Sequence, residues 1–174
     1  MPVGIGYDIH RLVLGRRLVL AGVEFESDKG LLGHSDADVA SHAIMDALLG
    51  AASLGDIGQH FPPEDPRYAD ASSLDLLHQV IALLAEHGWG VGNVDVTLIA
   101  ERPKIGPRVL EMRARLSDAM AISPTQVSIK ATTNEGLGFI GQGEGIAALA
   151  VGEIRALEAE FPPVTAPQRS DRRG

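Results

Sequence analysis

Two apolar periods take turns along this chain, and their interleaving restricts its fold more than any other feature. Val3 to His10 alternates every second residue, with Val3, Ile5 and Tyr7 on one face and Gly4, Gly6, Asp8 and His10 on the other. Arg17 to Phe25 reads as a short hairpin pivoting near Gly22. A helical period then starts after Ser35, whose hydroxyl is placed to cap while Asp38 three residues on completes a capping-box pattern. Val39, Ala43, Ala47 and Ala51 form its stripe, with Ile44 and Leu48 beside them, and the pattern runs out by Gly55. After a breaker region from Gly55 to Pro66, Leu74, Leu77, Ile81 and Leu84 define a second helix stopped by Gly88.

Strand alternation returns at Val94 to Ala100, and a third helix follows from Pro107 through Leu116 and Met120. Val127 to Thr132 is another strand, leading into a glycine-dense loop from Asn134 to Gly145. Ile146 to Phe161 is ambiguous: its composition favours helix, yet Ile146, Ala148, Leu149 and Val151 suit a buried strand equally well. Strands interleaved with helices predict an α/β or α+β sandwich with helices against a sheet. At 174 residues the chain has room for one core, expected over 1–161, and the proline- and arginine-rich 162–174 reads as a disordered tail.

Composition removes several function classes. Without cysteine there is no disulfide, thiolate metal site or thiol nucleophile. Fifteen basic against 23 acidic residues give a net charge of −8, which argues against nucleic acid or an anionic membrane as partner. No apolar run approaches a membrane span, and the first residues lack a basic-then-apolar leader, so a soluble cytoplasmic protein is expected.

Few residues offer chemistry. Asp8 and His10, two apart on a strand, present a carboxylate and an imidazole on one face, donors that zinc accepts. His42 supplies a third donor if its helix packs over that strand; otherwise Asp8 and His10 are a local pair and His42 an ordinary helix residue. His34-Ser35-Asp36 precedes the first helix, where Ser35 caps and the helix end favours an anion. Lys130 to Glu135 brings two hydroxyls, an ammonium and a carboxylate to a strand end, either a diphosphate-plus-metal site or solvated residues of good β-propensity. Gly136-Leu137-Gly138-Phe139-Ile140-Gly141 matches a dinucleotide fingerprint in form only, because glycines at 141, 143 and 145 keep interrupting the helix that the fingerprint needs.

A collinear set of motifs resembles one family. Gly6-Tyr7-Asp8-Ile9-His10, Gly33-His34-Ser35-Asp36-Ala37-Asp38-Val39-Ala40-Ser41-His42 and Leu54-Gly55-Asp56-Ile57-Gly58 open it. Asn93-Val94-Asp95-Val96-Thr97, Lys130-Ala131-Thr132-Thr133 and Gly141-Gln142-Gly143-Glu144-Gly145 complete it. Over Val3 to Phe161 the chain is similar to 2-C-methyl-D-erythritol 2,4-cyclodiphosphate synthases of the non-mevalonate isoprenoid pathway. The resemblance implies a mixed sheet of about four main strands with three helices on one face and a small hairpin. It implies a homotrimer with sheets facing the central axis and active sites between subunits, and makes the ambiguous last segment largely strand.

The same resemblance assigns residues. Asp8, His10 and His42 would hold Zn²⁺, and Glu135 a second ion, Mg²⁺ or Mn²⁺. His34 and Thr133 would stabilise the transition state. Asp56, Ile57 and Gly58 would meet polyol hydroxyls beside Ser35, with Phe61, Pro62, Pro63, Glu64 and Asp65 closing over them. Ala100, Glu101, Arg102, Pro103, Lys104, Ile105 and Gly106, with Thr132, Thr133 and Asn134, would form the pocket of a cytidine diphosphate substrate. Two positions depart from the pattern: Gln142 stands where an arginine is expected to meet a ligand diphosphate near the trimer axis beside Phe139, and Pro63 where a carboxylate is frequent. Two other readings use the same metal donors, a zinc phosphohydrolase and a non-catalytic trimeric metal-binding module.

Overall fold

A 12-residue strand, β1 (Val3–Leu14), opens the chain and runs four residues beyond the alternation that marks it. The computed structural model describes residues 1–157; the segment read as a disordered tail and the last residues of the ambiguous one lie outside them. The hairpin follows as β2 (Leu18–Leu20) and β3 (Val23–Phe25), then β4 (Lys29–Leu31) and α1 (Val39–Ala51). The breaker region is not bare loop, since it carries α2 (Ile57–His60) and a 3₁₀ turn at Pro66–Tyr68. The remainder is α3 (Ser73–Glu86), β5 (Trp89–Ile99), α4 (Val109–Met120), β6 (Val127–Thr132), α5 (Gly138–Gly141) and β7 (Gly145–Ala156).

The main sheet has the order β4-β1-β7-β5-β6, with β5 and β6 parallel and every other neighbour antiparallel. Four long strands and the short β4 thus form the expected mixed sheet, and β2–β3 is the small hairpin. The helical leaning of Ile146 onward is overturned as far as the chain is described: β7 lies between β1 and β5, and pairing on both edges decides against helix propensity. α1, α3 and α4 cover one face, where Leu48, Leu77, Leu84, Leu98, Met112 and Leu116 are fully buried.

β1 is turned with its small residues inward. A Cβ on Gly6 would lie 1.9 Å from the Ala43 carbonyl oxygen, and one on Gly4 2.0 Å from that of Ala47. The glycine face of β1 and the alanine stripe of α1 therefore meet backbone to backbone, closer than any side chain allows. The apolar face looks outward: Val3, Ile5 and Tyr7 are 58%, 70% and 54% exposed, with Leu149 and Val151 beside them on β7.

Asp38, not Ser35, caps α1, and the helix begins at Val39. The Asp38 carboxylate is fully buried and accepts from Ala40 N, Ser41 N and Ser41 Oγ, but also from Ala21 N and Gly22 N, both at 2.8 Å. Those last two amides form the hairpin turn, whose residues both have positive φ, so one side chain fastens turn to helix. Asp38→Ala strands these donors and is expected to cost about 3 kcal/mol. The check is a lower urea midpoint at unchanged slope; an unmoved midpoint would show that the hairpin is held by something else.

Candidate metal centre

The contact of β1 with α1 sets three donors against one another. Asp8 and His10 follow Gly4 and Gly6 on the inward face of β1, and His42 adjoins Ala43 on α1. His42 Nδ1 lies 2.9 Å from Asp8 Oδ2, His10 Nε2 lies 3.1 Å from the same oxygen, and the two nitrogens are 3.4 Å apart. Among the described residues this is the one group of three or more histidine or acidic side chains whose donor atoms converge. Burial alone would raise the Asp8 carboxyl, but hydrogen bonds from His10 and His42 and their charges hold it far below the usual carboxylate range. Burial likewise pulls the His10 imidazole down, and the Asp8 hydrogen bond and charge, with help from the Leu32 carbonyl, bring it net upward.

These residues fit a zinc ion on their own chemistry. His10 Nδ1 lies 2.7 Å from Leu32 O, an acceptor only, so Nδ1 carries a hydrogen, and Nε2, once the hydrogen it shares with Asp8 is lost, would turn a lone pair to an ion. Bonds of about 2.0–2.1 Å to a tetrahedral ion put neighbouring donors about 3.3 Å apart, close to the spacings found here. Three protein ligands would leave a tetrahedral ion one open position.

Around the donors is a cleft lined by His34, Ser35, Met45, Ile57, Gly58, Phe61, Pro63, Tyr68 and Leu76. His34 Nε2 lies 3.2 Å from Asp65 O, tying the 61–68 loop to the metal side, and Phe61 packs edge-on against Tyr68 with centroids 5.3 Å apart. Asp56 caps α2 at the exposed margin, where the Gln59 amide groups lower its carboxyl. Asp46, one turn along α1 from His42, accepts from Ile57 N and so fixes where α2 begins. Sequence reasoning singled out neither Asp46 nor Met45, Tyr68 and Leu76; only tertiary packing brings them here.

The other predicted residues gather elsewhere. Glu101, Arg102, Pro103 and Lys104 line a second depression with Gln142 and Gly143. Ala100 and Ile105 are buried and anchor that loop. Glu101 Oε1 accepts from Asn134 N at 2.9 Å, which joins the loop to Thr132–Glu135. There Thr133 Oγ1 donates to Glu135 at 3.0 Å. Glu135 is outside the converging donor group, and His34 and Thr133, predicted to act together, belong to different clusters of the chain. Lys130 pairs with Asp95 on the open face of the sheet.

A sequence model of the YgbB family matches residues 1–155. The chain is 64% identical over 154 residues to a 2-C-methyl-D-erythritol 2,4-cyclodiphosphate synthase of Symbiobacterium thermophilum, covering 88% of this chain and 98% of that protein. It is 66% identical over 151 residues to the bifunctional enzyme IspD/IspF of Anaeromyxobacter dehalogenans, covering 87% of this chain and 39% of that longer one, so it spans about two fifths of that relative. The fold is similar to the CDP complex of IspF from Plasmodium falciparum, with a TM-score of 0.79 and 32% identity over 90% of this chain and 97% of that one. Among the described residues no helix is long and apolar enough to cross a membrane.

Proposed function

The chain belongs to the YgbB family, and from that membership we propose that it performs the ring closure for which its relatives are named. It converts 4-diphosphocytidyl-2-C-methyl-D-erythritol 2-phosphate to 2-C-methyl-D-erythritol 2,4-cyclodiphosphate and CMP, in isoprenoid precursor biosynthesis. The observation that carries this reading is the convergence of Asp8, His10 and His42 inside a cleft. An oxygen of the substrate's 2-phosphate forms a bond to the β-phosphorus, and the bond from that phosphorus to the bridging oxygen breaks, with the electron pair leaving on CMP. No protein nucleophile is needed. Asp8, His10 and His42 would hold a zinc ion, which would supply positive charge to the diphosphate under attack.

The chain's own groups do the positioning, worth about 7–11 kcal/mol when reacting atoms are well aligned. Ile57 and Gly58, with Asp56 at the rim, take the polyol, and Phe61 to Asp65 cover it against water. Ala100 to Gly106 with Thr132 and Thr133 take the cytidine, while Glu135 would hold a second divalent ion and so supply charge for the departure of CMP. His34 and Thr133 donate to oxygens that gain charge. Because His34 and Thr133 lie in different clusters of one chain, the reading places each site between two chains of a homotrimer. The outward apolar residues of β1 and β7 support this, since they offer a face for other copies.

Turnover of the synthetic substrate in ¹⁸O-water, followed by mass spectrometry and CMP quantification, tests the reaction. The expected result is stoichiometric CMP and a cyclic diphosphate free of label. Label in the phosphorus-containing product would make the protein a zinc phosphohydrolase, and absence of CMP release would leave a binding module.

A further inference from the structure

We infer that Ser73 and Asp36 are positioning residues that fix the tautomer of His42, leaving Nδ1 free to bind the metal. Ser73 is the first residue of α3 and is fully buried. Its hydroxyl has one hydrogen and two neighbours. One is Asp36 Oδ1, in a short contact, and the other is His42 Nε2 at 2.9 Å. Asp36 also accepts from Ser73 N at 3.0 Å and from Asp38 N at 3.2 Å, which marks it as an acceptor on both oxygens. An ionised carboxylate has no hydrogen to give, so the serine hydrogen goes to Asp36. The Ser73 oxygen is then an acceptor toward His42, and Nε2 must carry the imidazole hydrogen.

His42 Nδ1, 2.9 Å from Asp8 Oδ2 and 3.4 Å from His10 Nε2, is then the nitrogen whose hydrogen a cation between these groups would replace. Ser35 Oγ is the more distant partner at 3.2 Å from Nε2; it accepts from Ala37 N and has a second lone pair open to the same Nε2 hydrogen. Partners of this kind, beyond the ligands themselves, set ligand orientation and typically change metal affinity 10–100-fold. The inference rests on the reading of Asp8, His10 and His42 as a zinc site, and gives their helix-borne member its direction.

Two measurements test it on the full chain. In metal-stripped wild-type protein at pH 8, long-range ¹H–¹⁵N correlation is expected to show His42 Nε2 protonated; an unprotonated Nε2 would overturn the relay whatever binds. In titrations with zinc alone against a chromophoric chelator, Ser73→Ala is expected to raise the dissociation constant about 10–100-fold. Asp36→Asn is expected to do the same, because a carboxamide can donate to Ser73 and turn its hydrogen onto His42. Ser73→Thr, which keeps the hydroxyl, is expected to stay within about threefold of wild type. If Ser73→Ala does not fold, Asp36→Asn and the wild-type spectrum decide. Affinities within twofold of wild type in the folded variants would overturn the inference. A wild-type protein that takes up no zinc would overturn the metal reading instead, with the spectrum still deciding the relay.

Discussion

Gly6→Val does not accumulate as folded protein. The β-carbon alone would sit 1.9 Å from the Ala43 carbonyl oxygen and 2.8 Å from Ala47 N, and both are backbone atoms of α1 that no rotamer change removes. Relief requires the helix to lift off the strand, which opens the Leu48 side of the core and carries His42 away from Asp8 and His10. Ordinary overpacking costs about 1–3 kcal/mol, and a clash between two main chains exceeds that range. Against a total stability of about 5–15 kcal/mol, this is enough to empty the native state. Soluble yield, far-UV circular dichroism and a urea melt read the outcome. A Gly6→Val protein with wild-type melting behaviour would mean that α1 does not seat on this face of β1.

His42→Ala separates chemistry from folding. Alanine is the strongest helix former, so α1 should persist, and the lost side chain is part of the site rather than of the aliphatic core. Two donors remain, Asp8 and His10, too few to hold the ion at ordinary concentrations. The variant is expected to keep the dichroism spectrum and elution volume of wild type, to retain under a tenth of the zinc, and to release CMP about 10³-fold more slowly. That factor corresponds to about 4 kcal/mol of lost charge stabilisation. Metal analysis by plasma emission and a coupled CMP assay measure both. Full zinc content would remove His42 from the ligand set, and normal turnover with no zinc would remove the metal from the reaction.

Asp8 and His10 were legible because a period of two places them on one face, and that needs only local backbone. The bounds of β6 and the presence of the second helix were legible from local periodicity as well, of two and of 3.6 residues respectively. What the sequence could not disclose depends on neighbours distant in the chain. Ser35 and Asp38 both suit a cap, and the choice is made by two amides of the β2–β3 turn. From its residues alone β7 suits helix and buried strand equally, until β1 and β5 are seen on either side of it. The alternation in β1 marked two faces but not which one turns inward, since glycine carries no hydrophobic signal. Ser73 had none either: one serine at the head of a helix looks like any other until His42 stands beside it.

The place of β7 has a consequence during synthesis. Val3 pairs with Glu153 and Trp89 with Ala156, so the strand at the middle of the sheet is the last of the described strands to leave the ribosome. Until it emerges, one edge of β1 and one of β5 stay unpaired, each able to recruit another nascent chain. A premature stop codon upstream of Gly145, or a stalled ribosome, would deliver two half-sheets with bare edges in place of a slightly shortened protein.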